Sequence, residues 1–201
     1  MQPCSCQHVS KSRKLCGCLA DPNGLHAAQC KVGGAPYAAH AEGCHILLGA
    51  VTAAGFQGLR EQIVPELARP GLLSPQLDIE GWGLMGQDRL LIDFTLRHPL
   101  ASRYSSVPAA TSTAASEKQD HYGRTQGLTV RTAALEVYGR HGEELRTLLD
   151  YLADLSRHRE RSLGLPPSRW LKKWRAQLSS MTAHFLGRAI QQARSGPMPA
   201  T

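Results

Sequence analysis

All six cysteines of this 201-residue chain fall within its first 44 positions: Cys4, Cys6, Cys16, Cys18, Cys30 and Cys44. His8, His26, His40 and His45 lie among them. The first thirty residues are polar and lack the apolar stretch of a secretory leader, so a disulfide framework is not expected and a cytosolic or nuclear protein is. Thiols and imidazoles gathered in such a compartment point first to zinc. The best-spaced set is Cys16, Cys18, His26 and Cys30, a Cys-x-Cys-x7-His-x3-Cys pattern with Pro22, Asn23 and Gly24 turning the chain between its two halves. Three thiolates and one imidazole close a tetrahedral site with no position open for water, which makes such a zinc structural. Cys4 and Cys6 repeat the Cys-x-Cys spacing and are the substitute ligands. Cys44 and His45 fall beyond, on a predicted helix.

Hydrophobic residues make up 42% of the chain and charged residues 19%. That is enough apolar material for a sizeable core, and it excludes a disordered or fibrous chain. No apolar run approaches the roughly 18 residues of a membrane span. The charge is concentrated at one end. From Arg157 onward nine Lys and Arg residues face a single acid, Glu160, so the last quarter carries the whole net charge of +7. A basic tail on a neutral body suits a polyanion, and Arg169, Lys172, Lys173 and Arg175 are its expected contacts. The alternative is a solvated helix face.

The remaining pattern predicts a small α/β domain. Residues 38–55 form helix, and residues 59–68 are either helix or strand, with Pro65 against a continuous helix. Gln76–Trp82 and Arg89–Leu96 are strands, the second with the near-continuous apolar run of a buried one. A helix near Ala109–Tyr122 follows, then a strand beginning at Leu128. A further helix carries Leu145, Leu148, Leu149, Leu152 and Leu155 on one face. After Ser168 a last helix shows one apolar stripe through Trp170, Trp174, Leu178, Met181, Phe185 and Ala189. That stripe is either core or a docking face for a partner protein.

Within the two strands stand Asp78 and Asp93. Adjacent strands joined by a tight turn bring such carboxylates side by side, and two like charges in a core need a cation between them. A hard divalent ion such as Mg²⁺ meets that need. Lys118, on the helix that follows, is placed to stabilise charge developing on a metal-bound phosphate.

Taken in order, these segments resemble the C-terminal region of site-specific non-LTR retrotransposon reverse-transcriptase proteins, where a zinc knuckle precedes a restriction-like endonuclease domain of the PD-(D/E)XK class. The resemblance runs from about Cys16 to Leu155. It is carried by CGCLADPNGLHAAQC (16–30), GGAPYAAH (33–40), PQLDIEGW (75–82), LLIDFTLRHPL (90–100), ASEKQDHYG (115–123) and ALEVYGRHGEE (134–144). His40 matches the family's histidine and Tyr122 the tyrosine four residues after the lysine. The chain departs from the family at Ala39, where an arginine is usual, and at Gln76-Leu77, where the dipeptide before the first acid contains proline.

The resemblance implies a restriction-endonuclease-like mixed sheet flanked by helices. It implies a metal-dependent endonuclease that nicks DNA, with Asp78 and Asp93 holding Mg²⁺ or Mn²⁺ and Lys118 positioning the attacking water. In the family that nick primes reverse transcription, so the partners are DNA, RNA and the reverse-transcriptase part of a larger protein, in the nucleus or the cytoplasm. The expected layout is a flexible leader (1–15), a zinc knuckle (16–40), the nuclease-like domain (41–156) and a basic linker, helix and tail (157–201). The other reading is a catalytically inactive, zinc-containing nucleic-acid-binding module from a decayed element, which the positions Ala39 and Leu77 favour.

Overall fold

The computed structural model describes residues 6–19, 21, 24–32, 34–68, 75–83, 88–101, 110–122, 128–160 and 167–195. Its elements in chain order are α1 (Leu25–Gln29), α2 (Ala35–Ala53), β1 (Gln57–Ile63), a 3-10 turn at Pro65–Leu67, β2 (Gln76–Trp82), β3 (Arg89–Arg97), α3 (Ala110–Tyr122), β4 (Val130–Glu136), α4 (Glu143–Glu160) and α5 (Pro167–Ser195). The fold is mixed α/β: one four-stranded mixed sheet flanked by helices.

The strands lie in the order β1-β2-β3-β4. The first two neighbouring pairs are antiparallel, and β3 and β4 run parallel. A parallel pair needs a crossover, which α3 supplies. β3 is central and buried from Leu90 to Thr95, as its apolar run predicts. The ambiguous segment after Gly55 forms the edge strand β1, and Pro65 opens the short 3-10 turn beyond it.

Helices α2, α4 and α5 cover one face of the sheet. Leu145, Leu148, Leu149 and Leu152 of α4 are fully buried there with Leu47, Ile79, Ile92 and Leu135. The α5 stripe belongs to the same core, with Trp170 only 5% and Trp174 only 7% exposed. Trp174 lies over Gly49 of α2. The docking-face alternative for this stripe therefore fails, because α2 and α4 already cover it. On the opposite face α3 packs over β3 and β4, and a smaller cluster gathers Val64, Leu67, Leu77, Leu91 and Tyr122.

Residues 6–18 make contacts of their own with the rest of the fold. Val9 bridges Leu15, the Cys16 amide donates to the His8 carbonyl, and Cys6 is fully buried. Position 40, where the knuckle was expected to end, lies inside α2. No helix among the described residues is long and apolar enough to cross a membrane.

Candidate metal centres

The backbone ladder between β2 and β3 ends at the pair Ile79 and Ile92. Asp78 and Asp93 follow just past that pair, and their carboxyl groups are close enough to interact. There the strands part, and the Phe94 amide donates to Asp78 Oδ2 at 2.7 Å instead of to a ladder carbonyl. The other side of Asp78 is irregular too. Glu61, across from it on β1, has a φ of 55°, and its carbonyl is taken by the Gln76 side chain. A non-glycine residue at such an angle is uncommon and tends to mark a functional site.

Each acid has its own cation. Lys118 of α3 reaches Asp93 Oδ2 at 2.7 Å, and the Tyr122 hydroxyl donates to the same oxygen. Lysine and tyrosine are four residues apart, so one helix face presents both. From the opposite side of the sheet, His40 of α2 brings Nε2 to 3.4 Å from Asp78 Oδ2 and 3.1 Å from the Phe94 carbonyl. The structure thus gathers the expected Asp78, Asp93 and Lys118, and adds His40 and Tyr122.

Burial pushes the Asp93 carboxyl up; Lys118 and Tyr122 oppose this, and the Asp78 charge adds to it. Burial also acts on Asp78, but His40, Asp93 and the Phe94 amide outweigh it and hold this carboxyl below its usual value. The Asp78 carboxylate raises His40 to about 10. His40, Cys44 and Asp78 crowd closely enough to suggest three ligands for one ion. Both His40 nitrogens are engaged within the protein, however, Nδ1 by Cys44 and Nε2 by Asp78 and the Phe94 carbonyl. We read that trio as an ion pair with a buried thiol. The hard donors are the two carboxylates, which fit Mg²⁺ or Mn²⁺.

The cysteine cluster differs from the expected one. The mutually close ligand atoms are those of Cys6, Cys16, His26 and Cys30, all within 4.8 Å of one another. Cys18 is exposed and lies outside that set. Gly17, between the two cysteines, has a φ of 68°. Cys16 belongs to the close set, while the exposed Cys18 thiol still interacts with Cys16. Cys6 is brought to the cluster because its amide and carbonyl pair with the Cys18 carbonyl and the Gly17 amide.

His26 is set by Asp21, whose two carboxylate oxygens accept the amides of Leu25 and His26 at 2.9 and 2.6 Å. Its Nε2 lies 3.3 Å from Cys16 Sγ. Hydrogen bonding, first from the Cys18 backbone, lowers the Cys16 thiol to about 6, whereas burial raises Cys6 to about 11. A set of three cysteines and one histidine, with Cys6 and Cys30 buried and Cys16 and His26 half-buried, fits Zn²⁺ in a closed site. Cys4, the other substitute, lies outside the described residues. Cys44 stands with His40 and not in this cluster.

The basic residues of α5 do not join the carboxylates. Arg169, Lys172 and Lys173 are exposed, Lys173 lies 4.5 Å from the Trp174 ring centre, and Arg175 pairs with Asp150. Trp174 meets α2 at Gly49, nine residues and so roughly 13 Å along the helix from His40. No protein-family model, curated protein or solved structure matches the chain.

His40, Tyr122 and Cys6 complete the two centres beyond the residues first expected. A signal existed for each: His40 ends the segment GGAPYAAH that carries part of the resemblance. Tyr122 follows Lys118 at helical spacing, and Cys6 repeats the Cys-x-Cys spacing. For the Phe94 amide no side-chain pattern could have served.

Proposed function

We propose that the chain is a metal-dependent DNA endonuclease with a restriction-like core. The observation that carries this reading is the pair Asp78 and Asp93, whose carboxyl groups interact just past the end of the β2–β3 ladder, with Lys118 on Asp93. A divalent ion held by the two carboxylates would activate a water and neutralise charge on the scissile phosphate. The Phe94 amide and His40 fix the rotamer and ionised state of Asp78. Tyr122 orients Asp93, burial excludes bulk water from Asp93, and Lys118 offers its ammonium to the phosphate oxygens. The cysteine cluster would hold structural Zn²⁺. Arg169, Lys172, Lys173 and Arg175 would contact the nucleic-acid backbone away from the cut.

The test is nicking of plasmid DNA with Mg²⁺ or Mn²⁺, beside Asp93→Ala. Activity in the wild type that falls at least a hundredfold in the variant supports the reading. A second reading is a nucleic-acid-binding module without catalysis, and the prior neutralisation of each acid by its own cation favours it. Salt-sensitive DNA binding with no cleavage under either metal would establish that one instead. Equal cleavage by both proteins would remove Asp93 from the chemistry.

A further inference from the structure

A cavity of about 540 Å³ opens beside the carboxylates, between the cysteine-bearing head and the C-terminal end of β3. One wall is α1 with Lys31, the residue directly after the ligand-set member Cys30. The other is Thr95, Arg97 and His98 on and after β3, and His40 belongs to the lining as well. The same imidazole therefore touches Asp78 on one side and this cavity on the other. Whatever fills the cavity is separated from Asp78 by that one ring.

The lining is chemically mixed. Lys31 and Arg97 supply positive charge. Arg97 pairs with Glu117 at 3.0 Å, while its Nε is buried without a hydrogen-bond partner. Tyr37 stands at the cavity with 64% of its surface exposed, although it is a large aromatic ring. His98 packs edge-on against Tyr138 at 5.2 Å between ring centres, and burial holds its imidazole below the usual pKa. Cations for phosphate and aromatic faces for a base are the two requirements of single-stranded nucleic acid. The volume is that of a small-ligand pocket, which admits one nucleotide and not a duplex.

We propose that this cavity seats one unpaired nucleotide flanking the phosphate held at Asp78 and Asp93, with Tyr37 stacking on its base. The inference rests on the nuclease reading for the position of that phosphate. The head then has a second role beside its own stability. It builds one wall of the seat, so the metal cluster shapes the substrate site without contacting the reaction.

The experiment compares two oligonucleotide duplexes of one sequence, fully paired or with a single bulged 2-aminopurine. Binding to the full chain is followed by anisotropy and by 2-aminopurine fluorescence, with Ca²⁺ in place of Mg²⁺ to keep the DNA intact. The bulged duplex should bind on the order of ten-fold more tightly, with the fluorescence of its base quenched. Tyr37→Ala should bring the ratio of affinities close to one, and Tyr37→Phe should keep it. Because Tyr37 is exposed, neither change threatens the fold, which near-ultraviolet circular dichroism verifies. Equal affinities in the wild type, or a ratio unmoved by Tyr37→Ala, overturn the seat. Mg²⁺ reactions on the same duplexes separate the two claims. Cleavage with equal affinities leaves the nuclease and removes the seat, whereas preferential binding without cleavage leaves the seat and removes the nuclease.

Discussion

His141 lies beside the first turn of α4 with its Nε2 buried and unpartnered. Burial depresses its basicity first, and the guanidinium groups of Arg175 and Arg146 add to the effect. Glu143 and Glu144 line the same pocket, and the imidazole still stays below the usual histidine value. A depressed folded pKa means that the unfolded chain takes up the proton more readily. The stability tied to this group is present above about pH 6.5 and is lost as the pH falls toward the folded pKa. Urea midpoints at pH 7.5 and 5.5 should therefore differ more for the wild type than for His141→Gln; an unchanged difference would mean that His141 titrates normally. At Asp93 the relevant loss is a donor. Tyr122→Phe removes a hydroxyl bonded to a buried carboxylate, worth about 1.5–3 kcal/mol in unfolding experiments. A loss below about 0.5 kcal/mol would show that the hydroxyl is replaced by water. Both acids were legible in the sequence because a charge inside an apolar run demands an explanation. Their partners were less so, since His40 meets Asp78 across 38 residues of chain and only the packing of α2 on the sheet brings them together.

At the scale of elements, the approach of α2 to β3 sets the site. Gly43 is the closest point: a Cβ there would fall 2.3 Å from the Phe94 ring. Phe94 is also the residue whose amide holds Asp78 and whose carbonyl receives His40. Gly43→Ala must push either the ring or the helix aside, an overpacking that costs about 1–3 kcal/mol. The expected outcome is a lower urea midpoint and, under the proposed nuclease function, a loss of nicking larger than the unfolded fraction explains. Full stability would mean that the ring finds another rotamer. The strands β2 and β3 and the helices α4 and α5 were readable because their apolar periods are strong. β1 was not, since its residues alternate between exposed and half-buried and its two large apolar side chains, Leu59 and Ile63, point to solvent. An edge strand of that kind carries no pattern to separate it from a helix, and only Pro65 argued for a break. The last helix shows the opposite case. Its stripe was legible, but the same stripe fits a core or a partner, and the choice between them depends on α2 and α4.

At the scale of the whole molecule, the cysteine cluster joins the two ends of the described chain. The hairpin that supplies Cys6 and Cys16 hydrogen-bonds to the end of α5 through the Gln7 amide and the Ala193 carbonyl, and α1, which carries His26, packs on the same helix. α5 in turn covers α2 and α4. A metal holding Cys6, Cys16, His26 and Cys30 would then brace the helical layer and the cavity wall at once, whereas a metal on Cys16, Cys18, His26 and Cys30 would brace the turn alone. The difference is measurable. Zinc released from purified protein and titrated with a chromophoric chelator should stand near one equivalent in the wild type and in Cys18→Ser, and well below it in Cys6→Ser. Structural zinc contributes its binding free energy to folding, on the order of 10 kcal/mol in small domains. Removing the metal with a chelator should accordingly lower the thermal midpoint of the wild type and of Cys18→Ser, and leave that of Cys6→Ser nearly unmoved. The reverse result, zinc kept by Cys6→Ser and lost from Cys18→Ser, would return the fourth ligand to Cys18 and detach the metal from the tail helix. The first result is the expected one, because Cys6 and not Cys18 stands in the set of mutually close ligand atoms.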